Sequence, residues 1–363
     1  MSSLLGIHHL TAVCSNAQRT SDFYTKILGL RFVKRTVNFD DPTVYHLYFG
    51  DRTGAPGTLV TFFEWSRLPK GRWGIGATHH LAFITESADS QLKWKRWLLD
   101  HGIPVTGPYD RNYFTSIYFE DPDGLILEIA TRGPGWTVDE PAGTLGTAIV
   151  HPPPELTRAG RNEEAVARLV SPSPVAELTA EMRLKGLHHI TAICSDIERT
   201  SEFYSTNLGM RAIKKTFNYD DPSAPHYYFA AGDGSPGTIV TYFGYPPGKM
   251  RTGNIGVGLT HHFAFAVEND EIQRDWRARL VEAGVNVTPV IDRIYFKSIY
   301  FQDPDGHILE IATIRPGFLV DEQDANLGRK LILPVWLEKS RARIEENLAP
   351  ISMTETSDPG LPA

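Results

Sequence analysis

The chain has 363 residues, 41% of them apolar and 22% charged, with a net charge of −7 at pH 7. That length allows two domains or one large one with a well-buried core, and mild acidity without a basic block argues against nucleic acid and anionic membrane as partners. No apolar run approaches the ~20 residues that span a bilayer and no signal peptide is read. The two cysteines, Cys14 and Cys194, are too few for a disulfide framework and suit a reducing cytoplasm, the expected location.

In chain order the pattern predicts a strand over IHHLTAV, a helix over NAQRTSDFYTKILG, and strands around RFVKRTVNF, TVYHLYFG and GTLVTFFEW. The order then recurs: a strand at THHLAFI, a helix at SADSQLKWKRWLLDHG, and strands around PVTGPYDR, TSIYFEDP and LILEIAT. Gly29 and Gly102 stand where the helices stop. The second half repeats the first. Residues 6–42 match 186–222 at a constant offset of 180, and 77–83 and 109–132 match 259–265 and 291–314 at 182, so two extra residues enter a loop. Even VDEPAGTLG at 138–146 has a twin, VDEQDANLG at 320–328.

Four βαβββ units follow, two per half, and the expected fold is α+β: curved mixed sheets with helices outside and a concave inner face. The expected divisions are a domain at 5–135, a linker and helical segment at 136–184, a second domain at 185–317, and a C-terminal segment with a disordered tail at 318–363. WKRWLL at 94–99 and LPVWLEK at 333–339 read as helix faces.

Each unit opens on a histidine pair: His8 and His9, His79 and His80, His188 and His189, His261 and His262. On the last strand, the second and fourth units carry Glu128 and Glu310, whereas the first and third carry Thr61 and Thr241 at the matching place. One unit of each kind supplies two histidines and one carboxylate, a facial set that leaves open positions and suits non-haem Fe(II). A lone strand histidine is usually a satisfied core residue; four pairs at matching positions are harder to explain that way. Strand alternation puts His9, Thr11 and Val13 on one face and His8, Leu10 and Ala12 on the other. Leu10 and Ala12 suit the covering helix, so the inward ligands should be His9, His80, His189 and His262.

These residues resemble the vicinal oxygen chelate superfamily, which includes glyoxalase I, bleomycin-binding proteins and extradiol dioxygenases. YFEDPDGLILE at 118–128 and YFQDPDGHILE at 300–310 are similar to its extradiol signature, and FVKRT, YHLYFGD and HHFAFAV are similar to its hydroquinone-cleaving branch. The resemblance implies a metal-dependent ring-cleaving dioxygenase opening a hydroquinone or related dihydroxylated ring. Its cofactor would be Fe(II), or alternatively Mn(II), with O2 as co-substrate, its partner a small aromatic molecule, and its assembly a homodimer.

By position, the resemblance assigns the metal to His9, His262 and Glu310, with His8, Thr11, His261, Arg293 and Tyr300 around it, and pairs the first unit with the fourth. His8 or His261 would take the phenol proton or simply fix ligand geometry. Arg293 would hold anionic charge unless it pairs with Asp292 or Asp303, and Tyr300 and Thr11 would donate hydrogen bonds. The middle units depart from the branch by completing a second set, His80, His189 and Glu128. Competing readings are a glyoxalase I-like isomerase or lyase, which wants a fourth protein ligand where Thr61 and Thr241 stand, and a non-catalytic binder of aromatic compounds.

Overall fold

The computed structural model describes residues 3–352; the tail expected to be disordered, 353–363, lies outside the described residues. The first unit is β1 (Ile7–Cys14), α1 (Ala17–Asp22), β2 (Arg31–Val37), β3 (Tyr45–Gly50) and β4 (Leu59–Glu64). The second is β5 (Thr78–Thr85), α2 (Ala88–Asp100), β6 (Thr106–Asp110), β7 (Thr115–Glu120) and β8 (Ile126–Thr131). After a linker containing α3 (Glu163–Arg168), the third is β9 (Leu187–Cys194), α4 (Ile197–Thr206), β10 (Arg211–Phe217), β11 (Pro225–Ala230) and β12 (Ile239–Gly244). The fourth is β13 (Thr260–Val267), α5 (Asp270–Glu282), β14 (Ile291–Asp292), β15 (Lys297–Gln302) and β16 (Ile308–Thr313), and α6 (Arg341–Asn347) follows.

Each unit's helix begins at a side chain that accepts from the first turn's backbone: Asn16, Ser87, Asp196 and Asn269. Gly29 and Gly102 end their helices with φ of 67° and 74°. The first helix differs from expectation after Asp22, where a π turn runs from Phe23 to Ile27 and the Thr25 hydroxyl donates to the Ser21 carbonyl. LPVWLEK is not helical. Pro334 interrupts it, a 3-10 turn starts only at Glu338, and Val335 and Trp336 are exposed.

The strands form two eight-stranded sheets, ordered β14-β15-β16-β13-β1-β4-β3-β2 and β10-β11-β12-β9-β5-β8-β7-β6. At each centre two histidine-bearing strands run antiparallel, β1 against β13 and β5 against β9, and each is parallel to its own unit's last strand. The first unit therefore shares a sheet with the fourth, and the second with the third. Segments 5–135 and 185–317 are repeats in sequence, and each gives one unit to each sheet.

Outward residues of both sheets and the helices share one apolar core, with Leu10, Ala12, Tyr24, Trp94, Trp97, Ile190 and Trp276 among its members. The concave faces carry separate aromatic clusters, around Tyr48, Phe296 and Phe318 in one sheet and Tyr228, Phe114 and Trp136 in the other. The repeated VDE sequence now has a structural place. Asp321 and Glu322 hold the buried Lys34 ammonium, and Asp139 and Glu140 hold Lys214, tying each tail to the sheet it closes.

Candidate metal centres

Two groups of three metal-capable side chains lie buried on the concave faces: His9, His262 and Glu310, and His80, His189 and Glu128. In the first, His9 Nε2 and His262 Nε2 are 3.3 Å apart and lie 3.3 and 3.0 Å from Glu310 Oε2. In the second, His80 Nε2 and His189 Nε2 are 3.3 Å apart and lie 2.9 and 3.4 Å from Glu128 Oε2. Metals of the first transition row take nitrogen and oxygen ligands at roughly 2.0–2.2 Å, so three ligands on one face of an octahedron stand roughly 3 Å apart.

A divalent cation therefore fits both groups. Ser298 and Ser116 donate to the Oε1 atoms of Glu310 and Glu128, but each Oε2 is buried without a hydrogen-bonding partner. Such an orphaned carboxylate oxygen is costly unless something positive meets it. Burial raises both carboxyls, yet the facing imidazoles outweigh it and hold Glu310 and Glu128 well below the usual carboxylate range.

The first member of each histidine pair is not where strict alternation puts it. Pairing registers shift by one between Ile7 and His9 and between Thr11 and Ala12, whose partners are His262 and Thr260, so β-bulges form at His8 and His261. The second sheet repeats the shifts around His79 and His188. Each bulge turns the extra ring towards its neighbour: His8 Nδ1 is 2.9 Å from His9 Nδ1, and His261 Nδ1 is 2.8 Å from His262 Nδ1. A ligand ring offering Nε2 to a cation carries its proton on Nδ1, so it donates to this contact and its neighbour accepts. Burial, with the adjacent imidazole, pulls His8 and His261 down to about 3, keeping both neutral at ordinary pH.

The remaining expected residues surround the first triad. Tyr300 lies edge-on to His262 with ring centroids 5.5 Å apart, and the Arg293 guanidinium lies over the Tyr300 ring. Arg293 pairs with Asp40 at 3.1 Å rather than with Asp292 or Asp303; Asp303 instead engages His307. Thr11 Oγ1 is 2.8 Å from Thr61 Oγ1. His46 and Tyr48, absent from the sequence-based set, continue that contact: His46 Nε2 is 3.0 Å from Thr61, and its Nδ1 is 2.9 Å from Tyr48 OH. His226, Thr241 and Tyr228 reproduce it at the second site, so the duplication offset alone could have flagged both histidines.

The second triad opens into a cavity of about 510 Å³ lined by residues that include His80, His189, Arg111, Tyr118, Tyr228 and Phe243. Phe114 and Phe296 lean on the ligand rings His189 and His9, with centroids 5.4 Å apart in each case. Apolar rings beside the candidate ligands make walls that suit a flat ring.

The family model described as the Glyoxalase/Bleomycin resistance protein/Dioxygenase superfamily matches residues 6–129 and 186–311. The Bacillus subtilis protein named "Putative ring-cleaving dioxygenase MhqO" is 33% identical over 97% of this chain and 98% of its own length. A "Chlorohydroquinone/hydroquinone 1,2-dioxygenase" of Sphingobium indicum is 26% identical over 92% of both chains. A solved Bacillus subtilis structure described as a "putative dioxygenase" superposes with a TM-score of 0.78 at 32% identity, over 98% of this chain and 100% of that one. Glyoxalase I of Zea mays shares the fold, with a TM-score of 0.56 at 16% identity over 85% of this chain and 92% of its own.

Proposed function

Because the chain belongs to the glyoxalase/bleomycin resistance/dioxygenase superfamily, we propose that it is a metal-dependent ring-cleaving dioxygenase that opens a hydroquinone or related dihydroxylated ring with O2. The observation that carries this reading is the buried two-histidine, one-carboxylate set with an orphaned Oε2 atom, three protein ligands and no fourth among the described residues. His9, His262 and Glu310 would hold one Fe(II), and His80, His189 and Glu128 another. A bound Fe(II) supplies Lewis acidity towards a phenolate oxygen and the one-electron chemistry that O2 requires. Both oxygen atoms enter the ring-opened acid, so no external reductant is consumed.

The protein's own groups prepare that event. Phe296 and Tyr300 present a ring face and a ring edge to the ligands, and the Arg293 charge favours a phenolate beside His262. Thr11, Thr61, His46 and Tyr48 form a buried hydrogen-bonded line that fixes the Thr11 hydroxyl beside the candidate ligands. His8 and His261 accept from the ligand rings and fix their tautomers, which makes them positioning residues. An isomerase of this superfamily would draw a fourth ligand from the place of Thr61, whose hydroxyl is already engaged by Thr11 and His46.

The test is anaerobic loading with Fe(II), followed by O2 uptake with a hydroquinone, a catechol and a hemithioacetal. O2 consumption matched to hydroquinone loss supports the proposal. Turnover of the hemithioacetal without O2 uptake on any diol overturns it.

A further inference from the structure

The two triads repeat one set of residue types, and the second opens into a cavity with a charged wall. Over the second triad, the linker after β8 crosses the cavity and brings Arg158 and Arg161 to its wall beside Arg111. The Arg158 backbone N–H donates to the Tyr219 carbonyl, and the Arg161 guanidinium lies over the Tyr109 ring with its carbon 4.0 Å from the centroid. At the position matching Tyr219 the first sheet has Phe39, and the ring that meets it is Trp336.

The charge at this wall is incompletely matched. Arg161 Nε is held by Glu163 at 2.7 Å and Nη2 by Asp220 at 2.6 Å, while Nη1 is buried without a partner, on a side chain 9% exposed. Asp220 is shared, because Arg111 Nη2 also reaches it at 3.0 Å. The Arg158 side chain makes no hydrogen bond or ion pair among the described residues. Three guanidinium groups therefore face two carboxylates, Asp220 and Glu163; Arg161 Nη1 is left for an acceptor, while Asp220 Oδ1 meets Arg161 as an ion pair without a hydrogen bond. A buried guanidinium donor without an acceptor is expensive unless a ligand supplies one.

We propose that the second site selects an aromatic substrate carrying an anionic substituent, a carboxylate on the dihydroxylated ring, which the Arg161 Nη1 and Arg158 groups receive while the diol faces His80, His189 and Glu128. This rests on the metal-site reading above and adds the substrate class. The cavity, about 510 Å³, has room for one ring; Phe243, Tyr228 and Tyr118 line it together with the linker arginines.

The test is anaerobic calorimetric titration of Fe(II)-loaded protein with 2,5-dihydroxybenzoate and with hydroquinone, which reads binding without turnover. It is done in a Glu310→Gln background so that only the second site contributes. Arg161→Gln should weaken 2,5-dihydroxybenzoate about tenfold and Arg158→Gln about fivefold, with hydroquinone changed less than about twofold. Arg158 is exposed and unpaired, so its variant folds even if Arg161→Gln does not. No binding of 2,5-dihydroxybenzoate to the parent, or equal weakening of both ligands, overturns the proposal. Loss of O2 uptake with carboxylate-selective binding intact would count against ring cleavage while leaving the anion site standing.

Discussion

His8 and His261 carry much of the logic of the site at the scale of single residues. A base that takes a phenol proton should have a pKa near the working pH, but burial pulls these rings down to about 3, which makes them weak bases, and their Nδ1 atoms lie against those of the neighbouring candidate ligand histidines. Replacing His8 by Phe should therefore weaken metal binding roughly 10- to 100-fold while largely sparing kcat at saturating metal. Competition with a chromogenic chelator measures the first effect; unchanged affinity with lost turnover would restore the general-base role. The candidate ligand groups were legible because four copies of one pattern sit in a single chain. The tautomer logic was not, since it depends on a bulge that alternation cannot foresee. His46 was readable in principle, as His226 repeats it at the same offset, but a lone histidine in mid-strand carries no chemical signature.

Among the elements, the repeated VDE tails were visible in the sequence, while their partners, Lys34 and Lys214, were hidden inside strands that read as ordinary β-structure. The ammonium of Lys34 is fully buried, so Lys34→Ala strands two carboxylates and should cost about 3–5 kcal/mol in urea unfolding. Lys26→Ala removes an exposed pair with Asp22 one helical turn away and should cost under about 0.5 kcal/mol. Equal losses would mean that the tails are not what holds the sheet ends. LPVWLEK failed as a helix because Pro334 and a late 3-10 turn override its apolar spacing, a tertiary and backbone effect that periodicity does not register.

For the molecule as a whole, duplication made the four units legible, while hydrogen bonding across the midline decides which units meet. The same register brings two buried histidine clusters into the protein, and that has a pH signature. His8, His79, His188 and His261 are all pulled to about 3 by burial and their neighbouring histidines. Below about pH 6.5 the unfolded chain takes up protons there that the folded chain refuses, so metal-free stability should fall as pH drops towards 3. Each histidine contributes at most about 1.4 kcal/mol per pH unit. Thermal melts between pH 7 and 4 test this, and a flat profile would contradict it. The central claim, that each sheet carries its own metal triad, is tested most directly by counting bound Fe(II) per chain after anaerobic loading and desalting. The account expects about two in the parent and about one in each of Glu310→Gln and Glu128→Gln. One in the parent, with no loss in one of the variants, would contradict it.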